Sequence, residues 1–226
     1  MDIGFLITTY NRQESCQRLV DSLQGLGDIV VLNDGCDYKI NGCRQYFNEV
    51  HGGKGYYWLT VKRLFVKKGK HKYYIMLPDD FLISRSQVSR AIELWEGIAD
   101  KRKVCLNLYA DRQGMKCWTN FKPVSRGSIW LTQWVDMCFL CEELFFNIVN
   151  IREIRYAWDR KRSISSGVGA LISRQLHSKR YNLYQVKSSL VEPQESHYKS
   201  QMHDNENHSG NCIPSRAPRI FDTRHK

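Results

Sequence analysis

The chain has 226 residues, 42% hydrophobic and 25% charged, which is enough to bury one sizeable core and excludes a disordered or fibrous class. No run reaches the roughly 18 apolar residues of a membrane span, and Met1 to Ile7 lacks the basic opening and long apolar stretch of a secretory leader. Thirty-four Lys and Arg against 23 Asp and Glu leave a net charge of +11, an excess that favours a polyanionic partner: nucleic acid, anionic lipid or anionic glycan.

Gly4 to Thr8 is a β-rich apolar run that stops in the polar cluster Thr9-Tyr10-Asn11-Arg12. Leu19, Leu23 and Leu26 recur at helical spacing after Ser15, which reads as an early cap. Gly27-Asp28 ends that helix, and the fully apolar strand Ile29-Val30-Val31-Leu32 closes at Asn33-Asp34-Gly35. Strand, helix and strand over about thirty residues form the βαβ signature of a parallel sheet. The stretch from Gly52 to Phe65 opens with glycines and continues as a helix through Tyr57, Val61, Leu64 and Phe65. Tyr73 to Leu77 is the next strand and runs straight into Pro78-Asp79-Asp80. An amphipathic helix over Gln87 to Ile98 and a strand over Val104 to Leu108 follow.

Beyond residue 110 the alternation loosens into aromatic loops carrying Trp118, Phe121, Trp130 and Trp134. A strand-to-helix stretch from Trp134 to Val149, a helix over Ala170 to His177 and a strand over Tyr184 to Val191 complete the pattern. From Pro193 onward the apolar content is low, and a long irregular segment is expected. The chain therefore reads as one α/β domain: a nucleotide-binding half over 1–110, an acceptor-binding and catalytic half over 111–203, and an irregular tail over 204–226. The eight cysteines include a lone Cys-x-x-Cys, Cys138 and Cys141, with no second pair to complete a zinc site. Buried, reduced thiols and a cytoplasmic location are the expectation.

Ligands of an open α/β sheet bind beyond the carboxyl ends of the strands, where the strand order changes. Three polar clusters occupy such ends: Thr8 to Arg12, Asn33-Asp34-Gly35 and Asp79-Asp80. Adjacent carboxylates at a strand end suit a hard divalent cation shared with phosphates, although Pro-Asp-Asp is also good turn chemistry. No Gly-x-Gly-x-x-Gly follows the first strand and no P-loop is present, which argues against a nicotinamide cofactor and a P-loop enzyme.

The ordered series Ile7-Thr8-Thr9-Tyr10-Asn11-Arg12, Val31-Leu32-Asn33-Asp34-Gly35 and Ile75-Met76-Leu77-Pro78-Asp79-Asp80 resembles the motifs of GT-A glycosyltransferases, above all the large inverting family. The resemblance covers residues 3–85, with fainter echoes to residue 203. It implies a Rossmann-like, mostly parallel sheet flanked by helices, a UDP-sugar donor, and Mn²⁺ or Mg²⁺. By it, Thr8, Tyr10 and Arg12 line the nucleotide pocket, Asp34 holds the uracil or ribose, and Asp79 lies near the ribose and sugar. Asp80 ligates the cation; the family's Asp-x-Asp is Pro-Asp-Asp here, which leaves the division of labour between the two open. Lys54, within Gly52-Gly53-Lys54-Gly55, is placed to pair with the diphosphate or else is a solvated lysine in a glycine turn. Inverting transfer needs a carboxylate to take the acceptor's proton; Asp136 leads, with Glu142 and Glu143 as alternatives. His197 and His203 both qualify as the histidine that the family adds to the metal from its C-terminal segment.

Similar enzymes that build envelope glycans often carry a membrane-binding appendage, and none is evident. A short, basic chain resembles the phage-type transferases that glycosylate 5-hydroxymethylpyrimidines in DNA. On that reading Lys67, Lys68, Lys70, Arg126, Arg160, Lys161 and Arg162 neutralise phosphates, and Trp118, Phe121, Trp130 or Trp134 stacks on an extruded base. The alternatives are a transferase acting on a cell-surface or lipopolysaccharide glycan, and a non-enzymatic nucleic-acid-binding α/β module.

Overall fold

A computed structural model describes residues 2–49, 57–110, 124–135, 137–151 and 168–194. Lys54, Trp118, Phe121, Asp136, Arg160, Lys161, Arg162, His197 and His203 lie outside the described residues.

The most continuous apolar runs form the centre of the sheet. Strands β1 (Ile3–Thr9), β2 (Asp28–Asp34) and β4 (Tyr73–Pro78) are buried along nearly their whole length, as expected of parallel strands covered on both faces. They run parallel with β3 (Arg44–Asn48) outside β2. Beyond β4 the sheet becomes mixed: β9 (Phe139–Glu142) is antiparallel to both β4 and β6 (Lys103–Asn107), and β10 (Asn182–Val186) is parallel to β6. An antiparallel hairpin, β7 (Val124–Arg126) and β8 (Ile129–Thr132), completes the far edge. Among the described residues the order is β3-β2-β1-β4-β9-β6-β10-β8-β7, and a second small sheet pairs β5 (Phe81–Leu82) with β11 (Glu192–Pro193).

Helices cover both faces. On one side α1 (Gln13–Leu23) and α3 (Arg85–Glu96) bury Leu19, Val20, Leu23, Val88, Ala91 and Trp95 against Phe5, Ile7, Val31 and Leu77. On the other, α2 (Tyr57–Lys67), α4 (Glu143–Ile148) and α5 (Val168–Ser178) bury Val61, Leu64, Phe145, Ile172 and Leu176 against Leu6, Val30, Tyr74 and Met76. Cys138 belongs to the first layer and Cys141 to the second, so the Cys-x-x-Cys thiols point to opposite faces and form neither a metal nor a redox pair.

Ser15 is not the cap of α1. The helix begins two residues earlier, with Arg12 at the N-cap, no side-chain cap bond, and Ser15 buried in the first turn. The capping box belongs instead to α3, where Ser84 Oγ accepts from the Gln87 N–H at 3.3 Å and Gln87 Oε1 accepts from the Ser84 N–H at 2.6 Å. The strand predicted over Tyr184 to Val191 ends at Val186. The segment from Pro193 is not irregular at its start, since Pro193 and Glu192 pair with Phe81 and Leu82. No helix among the described residues is long and apolar enough to cross a membrane.

Candidate active site

The strand order reverses between β1 and β4: from β1 the chain steps outward to β2 and β3, then returns to add β4 on the other side. The crevice at their carboxyl ends is where such a sheet binds its ligand. Thr8, Thr9, Asp34, Asp79 and Asp80 all stand there, and all are buried.

The carboxylates are held by a closed circuit. Asn11 adopts a left-handed φ of 51°, which Asn tolerates better than most residues, and it turns the chain from β1 into α1. That turn brings Arg12 back over the β4 end, where its Nη1 lies 2.9 Å from Asp79 Oδ1 and 3.2 Å from Asp80 Oδ2. Thr9 Oγ1 donates to Asp79 Oδ2 at 2.7 Å. Having given its proton to Asp79, Thr9 Oγ1 accepts from the Tyr38 hydroxyl at 2.6 Å, and that hydroxyl accepts from the Arg12 N–H at 3.3 Å. Burial pushes the Tyr38 phenol up, which keeps it protonated as a donor. The Asp79 N–H donates to Thr8 O at 3.2 Å and fixes the backbone from which both acids project.

The acids differ in what can reach them. The Asp79 side chain is 2% exposed and the Asp80 side chain 12%. Burial raises the Asp79 carboxyl to about 7, against the lowering pull of Arg12 and the Thr9 hydroxyl and with a further push from Asp80. Asp80, at the rim, is the one open to a cation from solvent. Among the described residues no three His, Cys, Asp or Glu side chains converge. Two adjacent carboxylates alone supply only part of a hard cation's oxygen shell, and any further oxygens would come from phosphate, water or residues outside those described.

The second pocket wall is built on β2 and β3. Asp34 pairs in register with Asn48, whose Nδ2 donates to Asp34 Oδ1 at 2.6 Å and to Thr60 Oγ1 at 3.0 Å. Arg63 Nη1 in turn donates to Asn48 Oδ1 at 2.5 Å. Gly35 follows with φ 87°, a left-handed turn that glycine accepts without strain. Tyr57, at the start of α2, puts its hydroxyl 3.1 Å from Thr8 Oγ1. Tyr10 is half-buried in the turn after β1.

A third wall of the crevice is anchored where β9 enters. Because β9 is antiparallel to β4, with Phe139 opposite Met76, it enters the sheet at the edge carrying Asp79. Trp134 O accepts from Asn107 Nδ2 at 2.6 Å, and the Val135 N–H donates to Ser173 Oγ at 2.8 Å. A Cβ on Gly169 would lie 2.1 Å from Val135 O, so only glycine lets α5 come this close. The backbone of Trp134 and Val135 is thus fixed from two sides. Glu142 and Glu143 end up at the opposite edge, where Glu142 accepts from Trp95 Nε1 at 2.8 Å and Glu143 pairs with Lys68 at 2.6 Å. Neither therefore stands at the carboxyl end of β4.

The lysine run also lies at that opposite edge, where β4 begins, about 20 Å from Asp79 for six residues of strand. Lys68 Nζ sits over the Tyr74 and Phe146 rings and pairs with Glu143, and Lys67 Nζ sits over Tyr46. Lys70 is exposed there. None of the three reaches the crevice. Arg126 lies beside the β7–β8 turn at the far end of the sheet, five strands from β4, near Lys187, whose Nζ is 4.5 Å from the centre of the Trp130 ring.

Sequence reasoning missed Tyr38, Asn48 and Gln194 as parts of the site. Tyr38 carried no spacing signal. Asn48 sits on a strand whose half-exposed pattern shows no alternation.

No protein-family model and no curated protein matches the chain in sequence. Solved structures do match in fold. GalNAc-T7 with UDP, GalNAc and Mn²⁺ superposes with a TM-score of 0.59 at 14% identity, covering 90% of this chain and 46% of that one. TarS 1–349 of S. aureus gives 0.54 at 12% identity, covering 84% and 59%. Glucosyl-3-phosphoglycerate synthase of Mycobacterium tuberculosis, with Mn²⁺ and UDP-glucose, gives 0.54 at 13% identity, covering 85% and 71%. The chain spans about half the length of the first two. It has the GT-A fold of nucleotide-sugar glycosyltransferases, an α/β architecture with a mixed, largely parallel central sheet.

Proposed function

We propose that this chain is a metal-dependent glycosyltransferase that moves a sugar from a UDP-sugar to a hydroxyl group of a polyanionic acceptor. The observation that carries the reading is the Asp79–Asp80 pair at the strand-order switch, buried, neutralised by Arg12 and oriented by Thr9. Structural ion pairs are seldom built around two adjacent buried carboxylates, because their repulsion and desolvation are costly. A site that receives a cation and a diphosphate has a use for them.

In this reading Asp34, steadied by Asn48, accepts hydrogen bonds from the nucleobase or ribose, and Thr8 and Tyr10 line the pocket. Asp79 faces the ribose and sugar, with Arg12 fixing its orientation. Asp80 holds Mn²⁺ or Mg²⁺, and His197 or His203 completes the ion's protein ligands. The cation, when bound, offsets the charge that develops on the departing diphosphate. Lys54 pairs with the same diphosphate. Asp136 takes the proton of the acceptor hydroxyl as its oxygen attacks the anomeric carbon. The bond from that carbon to the diphosphate oxygen breaks, UDP leaves, and the anomeric configuration inverts.

For the acceptor, the net charge of +11 supports a polyanion, and DNA bearing 5-hydroxymethylpyrimidines is the case to test first. Arg126, Lys187 and Trp130 beside the β7–β8 turn, with Arg160, Lys161 and Arg162, are its phosphate and base contacts in this reading; Lys67, Lys68 and Lys70 lie at the other edge of the sheet. The test is UDP release from a panel of UDP-sugars with Mn²⁺, with and without such DNA. DNA-stimulated release supports both donor and acceptor. Release that DNA does not stimulate moves the acceptor to a glycan. No release from any donor in the presence of either acceptor class contradicts the enzyme.

A further inference from the structure

The Pro-Asp-Asp turn is held from beneath by a residue 115 positions away in sequence. Gln194 follows β11 and is 5% exposed. Its Nε2 donates to Asp79 O at 2.9 Å and Ser15 O at 3.0 Å, and shares a longer contact of 3.3 Å with Phe81 O. Its Oε1 accepts from Arg18 Nε at 3.0 Å, and its backbone N–H donates to Asp80 O at 2.7 Å. One side chain and one peptide thus meet the backbone of residues 79, 80 and 81 and two residues of α1.

The chemistry asks for glutamine. Two amide protons face backbone carbonyls while the amide oxygen faces a guanidinium. Glutamate would set a second oxygen against the same carbonyls, and methionine would fill the volume with no donor. The buried carbonyls of the turn would then lose their partners, a loss that buried groups tolerate poorly. Gln194 touches neither donor nor acceptor in this arrangement. It acts through the peptides of the two residues whose carboxylates form the site.

We propose that Gln194 is a positioning residue for the acidic pair: it sets the turn's height against α1 and couples donor binding to strand β11. The proposal rests on the donor-site reading above. Coupling is reciprocal, so a ligand held by Asp79 and Asp80 tightens β11, and a change at Gln194 weakens the ligand.

Two measurements test it. The first is amide hydrogen exchange across residues 190–194 of the wild-type chain, with and without UDP plus Mn²⁺. The second is titration calorimetry of UDP with Mn²⁺ on Gln194→Met, restricted to folded protein by its thermal transition. The expected result is slower exchange in β11 on binding, and affinity reduced about 10- to 100-fold in the variant, as for the outer partners of metal ligands. UDP·Mn²⁺ binding to wild type with unchanged β11 exchange, and full affinity in the variant, would overturn the positioning role and leave the donor site standing. Absence of UDP·Mn²⁺ binding to wild type would overturn both. Should Gln194→Met not fold, the wild-type exchange experiment decides alone.

Discussion

Strand β4 is charged at both ends, and the two ends are built on opposite principles. Where it begins, Lys68 lies over the rings of Tyr74 and Phe146 and pairs with Glu143, while Lys72 reaches Glu96. The partners there are largely exposed, and such pairs contribute little individually. Where it ends, two carboxylates are buried side by side around a single guanidinium, with a threonine and a tyrosine completing the circuit. The first end spreads charge over surface and aromatic stems; the second concentrates it where water is scarce. A sequence shows both as clusters of charge. Only burial separates a solvated face from a site.

The sharpest way to break that contrast is Arg12→Met. It leaves two buried acids without their cation, and a destabilisation of about 3–5 kcal/mol is expected by chemical denaturation. A loss under about 1 kcal/mol, the usual scale of an exposed pair, would place the crevice in the same class as the lysine end.

Asp79 gives a second handle. Its folded-state value of about 7 stands above the ordinary 3.8, so the native form holds a proton that the unfolded chain has released between those values. Stability of the metal-free protein therefore falls as pH rises from about 4 to about 7, by up to about 1.4 kcal/mol per unit, and levels off above. Asp79→Asn is expected to remove this slope from denaturation curves. A wild-type slope that survives the substitution would assign it to other groups.

A smaller effect is expected at the β2 wall. Asp34→Asn keeps the shape but replaces a charged acceptor, and UDP affinity is expected to fall about tenfold by calorimetry. Unchanged affinity would move base recognition elsewhere. The smallest effect belongs to the lysine end: Lys70→Ala is expected to shift stability by less than about 0.5 kcal/mol and to leave donor affinity unchanged. Weakened DNA association in that variant would return the lysine run to the acceptor surface.

Much of the N-terminal half was legible because the chemistry there is local. β1, β2 and β4 are covered on both faces, so their apolar runs are unbroken, and each ends in a polar cluster that the parallel sheet lines up on one edge. Helix α2 and strand β4 followed from the same spacing. What escaped was whatever depends on distant pairing. β3 is an edge strand with a mixed pattern, so its Asn48 went unseen beneath Asp34. Tyr38 joins Thr9 across 29 positions and Gln194 joins Asp79 across 115, and neither contact leaves a periodic trace. The placement of the charge escaped for a related reason. The Lys67 to Lys72 run is conspicuous along the chain, yet the topology sends it to the edge away from the crevice.

In the proposed function Asp80 presents a rim carboxylate to a cation carried in with a nucleoside diphosphate. Calorimetric titration of UDP with and without Mn²⁺, on wild type and on Asp80→Asn, tests it most directly. UDP binding is expected to need Mn²⁺, to be abolished by a chelator, and to fall at least about 100-fold in the variant, the scale of losing a charged ligand. UDP binding that ignores Mn²⁺, or is equally tight in Asp80→Asn, would contradict it.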